Sequence, residues 1–149
     1  MLRIRPATLA DTPALYAFQA DPVGSEMAAF PSRDREAFDA HQARVLADPT
    51  CLFYAIEVDG SVVGSIGSWD GDGEREVGYW LGRDHWGRGH ATEAVRAFLE
   101  VETTRPLFAY VAPHNEASKR VVTKVGFAEI GTHSDGDVEH IVFRLDAED

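Results

Sequence analysis

The chain opens on alternation: Leu2 and Ile4 are separated by Arg3 and followed by Arg5, the period of a strand with one buried face. Thr8 or Asp11 can cap a helix in which Leu15 and Phe18 share a side. Asp21 to Pro31 has no such period and reads as a loop. A second helix is expected from Ser32 or Asp34, with Phe38, Val45 and Leu46 on one face and Asp48-Pro49 closing it. Two apolar runs, Cys51 to Val58 and Val62 to Trp69, flank Asp59-Gly60-Ser61, a strong hairpin signal. After the polar turn Asp70-Gly71-Asp72-Gly73, Glu74 to Leu81 completes an antiparallel meander.

Beyond Leu81, Ala91, Ala94, Val95, Phe98 and Leu99 recur at helical spacing. Leu107 to Val111 reads as a short buried strand, Asn115 to Val125 as a helix, and Phe127 to Gly131 with Val138 to Leu145 as a closing pair. The predicted order is β-α-α-β-β-β-α-β-α-β-β. A meander followed by a βαβ unit implies an α/β (α+β) fold: a mixed, mostly antiparallel sheet of seven strands with about four helices, on both faces. With 149 residues and 44% hydrophobic content, we expect a single domain over residues 1–149.

The formal charge of −11, from 14 basic and 25 acidic residues, opposes nucleic acid and anionic membranes as partners and suits a cationic one. No apolar run reaches the ~20 residues of a membrane span, and Met1-Leu2-Arg3 leads directly into a strand, so a cytoplasmic location is expected. Cys51 is the only cysteine, which rules out an intrachain disulfide and suggests packing rather than nucleophilic chemistry. The six histidines show no H-E-x-x-H spacing, and no metal is expected.

The candidate chemistry begins at His85-Trp86-Gly87-Arg88-Gly89-His90-Ala91, where a strand passes into a helix. The first amides of a helix have no internal partners and its dipole is positive there, so this junction favours phosphate. Gly87 and Gly89 admit positive φ and close approach of a ligand to the backbone. A second segment, Asn115-Glu116-Ala117-Ser118-Lys119-Arg120, starts the following helix. Its spacing puts Asn115 and Ser118 one turn apart, with Asn115 also suited to N-cap the helix.

Together these segments, followed by Gly126-Phe127, resemble the GNAT acyltransferase superfamily, and most closely the RimJ/RimL branch that acetylates ribosomal-protein N termini. The opening Leu2-Arg3-Ile4-Arg5-Pro6 and Leu9-Ala10-Asp11 share the resemblance, which spans nearly the whole chain. It implies that acetyl-CoA is the cosubstrate and an amine, here a cationic one, the acceptor. Members often dimerise, and the sequence leaves a homodimer open. One departure is Asp84, which stands where the family has Arg or Gln before the first glycine, so Arg88 becomes the expected phosphate contact.

The resemblance assigns cofactor binding to Leu81, Trp86, Gly87, Arg88, Gly89, His90, Ala91, Asn115 and Arg120, with Lys119 also within reach of the adenosine phosphates. Trp86 either covers the cofactor or anchors the loop in the core. The pantetheine arm is expected between strands ending at Gly82 and Ala112, and the amide after Leu81 is expected to polarise the acetyl oxygen. The catalytic candidates are Glu76 as general base, Ser118 as hydrogen-bonding acid and Asn115 as the residue holding pantetheine or water. Tyr110 is a fallback acid, and Glu76 could instead pair with Arg75 as a strand-end carboxylate. Acceptor contacts are expected from Asp21 to Pro31, Asp70 to Arg75 and His133 to Val138. The contrasting class is a noncatalytic acyl-CoA-binding or interaction domain on the same fold. A nucleotide phosphotransferase is disfavoured because G-x-x-x-x-G-K-S/T is missing.

Overall fold

The computed structural model describes residues 1–148. Seven strands, β1 (Leu2–Pro6), β2 (Leu52–Val58), β3 (Ser61–Gly71), β4 (Glu74–Leu81), β5 (Leu107–Val111), β6 (Ala128–Asp135) and β7 (Val138–Leu145), form one sheet. Their order is β1-β2-β3-β4-β5-β7-β6, and only β4 and β5 run parallel. The helices are α1 (Thr12–Ala20), α2 (Pro22–Ala28), α3 (Arg35–Ala47), α4 (His90–Leu99) and α5 (Glu116–Lys124), with short 3-10 turns at Leu9–Asp11 and Arg83–His85.

There are thus five helices rather than four. The additional one, α2, lies in the stretch expected to be a loop. Asp21 caps it by accepting from the Val23 amide, Pro22 occupies its first turn, and Ala29 ends it in the left-handed region at φ 53°. Two further expected loops are hairpins. β3 and β4 pair as far as Gly71 and Glu74 around Asp72-Gly73, and β6 and β7 pair as far as Asp135 and Val138. Extended pairing therefore consumes most of the segments assigned to acceptor loops.

Alternation along β4 sorts its two faces. Val77 and Leu81 enter a core with Ile56 and Ile66 from the sheet, Val95 and Phe98 from α4, and Val122 from α5. Phe98 is fully buried and meets Tyr54 edge-on at 5.7 Å. On the other face Trp80 packs on Gly24 and Phe30, on the side occupied by α1 and α3. The start of α1 is tied to the sheet by Arg5, whose guanidinium bridges Asp11 and Glu57. No helix among the described residues is long and apolar enough to cross a membrane.

Candidate functional site

The end of β4 builds the anion cradle. The Gly82 amide donates to the Val63 carbonyl at 2.9 Å, and a Cβ on Gly82 would come within 2.8 Å of the Phe18 ring, which explains the glycine by packing. The Trp86 indole donates to the Leu81 carbonyl at 3.1 Å and packs against the core, so it anchors the loop while also lining the adjacent cavity. Gly87 and Gly89 hold φ of +75° and +81°, a region costly for other L-residues, and the space above both is open. Gly89 then serves as N-cap of α4 without a side chain, leaving the His90, Ala91 and Thr92 amides with no preceding turn to bond.

These amides border a cavity of about 380 Å³ between the ends of β4, α4 and α5. Of the residues singled out in the sequence, Leu81, Trp86, Gly87, Gly89, His90, Ala91, Asn115, Ser118 and Arg120 line it. Arg88 does not: it is exposed and outside the cavity lining. Lys119 is also diverted, pairing with Glu116 at 2.8 Å. The cations that line the cavity are Arg120 and Lys124, both on α5.

Beside the cavity lies a gap in the sheet. β4 and β5 are in register only at Arg75 with Leu107 and Glu76 with Phe108, and beyond that point they diverge. Val77, Tyr79, Ala109 and Val111 line the opening, where a further cavity of about 100 Å³ reaches Asn115 and Ser118. Because the Gly82 amide is used by Val63, strand alternation turns the amides of Tyr79 and Leu81 the other way, into the gap. The amide after Leu81 is therefore not free to polarise a ligand, contrary to expectation; those of Tyr79 and Leu81 face the opening instead.

Asn115 caps α5, its Oδ1 accepting from the Ser118 amide at 3.1 Å. Ser118 Oγ in turn accepts from the Tyr79 phenol at 3.0 Å. Burial pushes the Tyr79 phenol up, partly offset by the bond to Ser118. Tyr79 was missed in the sequence because it shares a strand face with Val77 and Leu81 and reads as core.

Glu76 stands at the closed end of the gap, outside the lining of both cavities. Arg75 does not pair with it, being held by Glu102, Asp70 and the Thr50 carbonyl. Burial, and then the charges of Glu74 and Asp72, raise the Glu76 carboxyl above the usual range, while His133 acts in the opposite sense. Trp69, 39% exposed, is its cross-strand neighbour. Tyr110 is engaged elsewhere: its phenol donates to Glu74 at 2.7 Å and is pushed up to about 12, first by burial and then by that carboxylate. Cys51 sits just outside β2 with its thiol pushed up by burial and by Asp48, which disfavours the nucleophilic thiolate. No group of three or more metal-ligating side chains is found among the described residues.

Comparison with known proteins places this architecture. The chain is 33% identical over 110 residues to "Putative ribosomal N-acetyltransferase YdaF" of Bacillus subtilis, an alignment covering 68% of this chain and 60% of that protein. Alignments with the curated relatives take in only 32% to 60% of those proteins' lengths. Among solved structures, an acetyltransferase from Agrobacterium tumefaciens str. C58 is 28% identical with a TM-score of 0.80, covering 98% of this chain and 91% of that one. Aminoglycoside acetyltransferase AAC(6')-Ib in complex with coenzyme A shares the fold at a TM-score of 0.84 and 21% identity, covering 98% and 95% of the two chains. The family described as "Acetyltransferase (GNAT) domain" matches residues 1–128, and the chain belongs to that family.

Proposed function

We propose that this protein is an acetyl-CoA-dependent N-acetyltransferase that moves the acetyl group directly to a primary amine. The observation that carries the reading is adjacency: the cavity over the α4 N-terminus and the β4–β5 gap share Tyr79, Asn115 and Ser118 as lining residues. A diphosphate fits the His90, Ala91 and Thr92 amides, where Gly87 and Gly89 leave open space and Arg120 and Lys124 supply positive charge. The Tyr79 and Leu81 amides offer an extended pantetheine arm the hydrogen bonds of a missing strand. Bound acetyl-CoA supplies an activated thioester.

The protein's own groups manage charge and protons. A lysine amine, with a pKa near ~10.4, is almost wholly protonated at pH 7, whereas an α-amine near ~7.8 has a usable neutral fraction. Glu76, on the strand face shared with Trp80, is the base for the acceptor nitrogen, acting directly or through water, and its raised pKa suits that task. Ser118 hydrogen-bonds the departing sulfur, and Asn115 holds the α5 N-terminus in place. The carboxylates of Asp72, Glu74 and Glu76 at the closed end of the gap, together with the net charge of −11, favour a cationic acceptor. A protein N terminus, in the manner of the RimJ/RimL branch, and a small amine are the two acceptor classes that fit. Cofactor binding on one sheet face and an acidic approach on the other are compatible with a monomer or a homodimer, acting in the cytoplasm.

Calorimetric titration with acetyl-CoA, with ATP as control, followed by thiol release with a panel of amines, tests the proposal. Saturable binding and amine-dependent release are expected. Binding without release from any amine would instead support a noncatalytic acyl-CoA-binding domain.

A further inference from the structure

We propose that Tyr79 is a positioning residue for acetyl transfer: by donating to Ser118 Oγ, it leaves the serine's own proton free to face the departing sulfur. The inference rests on the acetyltransferase reading and adds to it a residue on the opposite side of the cavity from α5.

The direction of the Tyr79–Ser118 bond is set by its geometry, the phenol donating and the serine oxygen accepting. The two oxygens are 3.0 Å apart, and the Tyr79 phenol has no other hydrogen-bond partner among the described residues. This half-buried phenol has one protein acceptor within reach, and its proton goes to that acceptor, Ser118. Ser118 is the more adaptable partner. Its amide is fixed by Asn115 Oδ1, and the residue lines both the main cavity and the β4–β5 gap. A helical serine commonly returns its proton to a carbonyl one turn back. Here no such bond is made, so with Tyr79 donating to the oxygen, the serine O–H points toward the ligand. Without Tyr79 the hydroxyl is free to rotate and spends less time in that direction.

In the transfer step the amine nitrogen forms the new C–N bond as the C–S bond breaks. The C–S electron pair stays on sulfur, and the proton lost by nitrogen passes to the base. The Ser118 O–H hydrogen-bonds the developing thiolate but keeps its proton; the thiolate leaves as an anion and takes a proton from water. Tyr79 acts only through the orientation of that serine hydroxyl, a contribution larger in the transition state than in the ground state.

Steady-state kinetics with acetyl-CoA and the best amine of the panel, on wild type, Tyr79→Phe, Ser118→Ala and the double variant, test the inference. Tyr79→Phe keeps the ring and should lower kcat by about tenfold, the scale of one charge-assisted hydrogen bond, with acetyl-CoA affinity within about twofold. Ser118→Ala should lower kcat at least as much, and the double variant should be no slower than Ser118→Ala alone, since Tyr79 then has nothing to orient. Unchanged kcat in Tyr79→Phe would overturn the inference, as would a multiplicative loss in the double variant, which would make Tyr79 an independent acid. An equal fall in kcat and in calorimetric acetyl-CoA affinity would also overturn it, by showing a merely structural role. Wild-type protein that releases no thiol with any amine of the panel overturns the acetyltransferase reading and this inference together. Wild-type turnover that Tyr79→Phe leaves intact overturns only the inference.

Discussion

Glu76 and Phe108 are the last residues at which β4 and β5 stand in register, and the sheet opens immediately beyond them. The proposed base is therefore on the fixed side of a hinge-like divergence: its backbone is held by pairing on both edges, while the next residues line a ligand-sized gap. A base placed there is preorganised by the sheet rather than by a loop.

Replacing Glu76 by Gln should lower turnover, remove the acidic limb of the pH–rate profile and leave acetyl-CoA affinity nearly unchanged. A base works ionised, and since burial, Glu74 and Asp72 raise this carboxyl, the limb should lie above the ordinary glutamate range. The same shift predicts a stability effect. A folded-state pKa above the unfolded one contributes stability below the unfolded value, which is lost as pH rises through the folded value. Glu76→Gln should therefore gain stability relative to wild type as pH rises through the folded value, and the two should converge at acidic pH, where the wild-type carboxyl is protonated in both states. Wild-type rates in the variant would remove Glu76 from the mechanism.

The glycine loop can be separated from backbone strain by comparing two positions. Gly60 and Gly89 have φ of +85° and +81°, and both have open space where a Cβ would stand. Ala at either should cost about 1 kcal/mol in urea unfolding. Only Gly89→Ala should weaken acetyl-CoA, and Gly89→Glu, which adds a carboxylate beside the proposed diphosphate, should abolish binding. Unchanged affinity in Gly89→Glu would end the phosphate assignment.

These two sites also show what was legible in the sequence. The glycines, Asn115 and Ser118 were, because local chemistry requires them: a positive φ before a helix, a cap, and a one-turn spacing. The order of strands along the chain and the β2–β3–β4 meander were too, since each of those hairpins carries its own turn signal, whereas the insertion of β7 between β5 and β6 was not. α2 was not, because seven residues give too little periodicity, and its cap, Asp21-Pro22, also fits a turn. Tyr79 was not, because its partner lies 39 residues away and only the fold brings them together. Arg88 is exposed and outside the cavity lining, because adjacency to glycines in sequence is not adjacency to the cavity.

Arg120 and Arg88 should consequently differ as cofactor ligands. Arg120→Ala should weaken acetyl-CoA by about tenfold, one charge-assisted contact, with the loss shrinking at high salt. Arg88→Ala should change affinity by less than about twofold, since an exposed cation outside the cavity acts only through screened charge. Calorimetry at two ionic strengths distinguishes them; a larger effect at Arg88 would restore the expectation drawn from the motif.

The largest stability effect should come from beneath the site, where Glu102, 3% exposed, accepts from Arg75 and Ser68 at 2.6 Å each and from the Thr104 amide. Burial works to raise this carboxyl, but the bonds from Ser68, Arg75 and Thr104 prevail and hold it below the ordinary range. A lowered folded-state pKa contributes stability above the unfolded value, and that contribution is lost as pH falls through the folded one. Removing one partner of a buried pair costs about 3 to 5 kcal/mol, and the lower end is expected for Glu102→Ala because Asp70 and the Thr50 carbonyl still hold Arg75. The loss should be full in urea unfolding at pH 7 and smaller at pH 3. Replacing Arg75 and Glu102 together by Met should recover much of it, since no charge is then left unpaired. A double variant as unstable as Glu102→Ala would show instead that Ser68 and the Thr104 amide, not the ion pair, are what Glu102 stabilises.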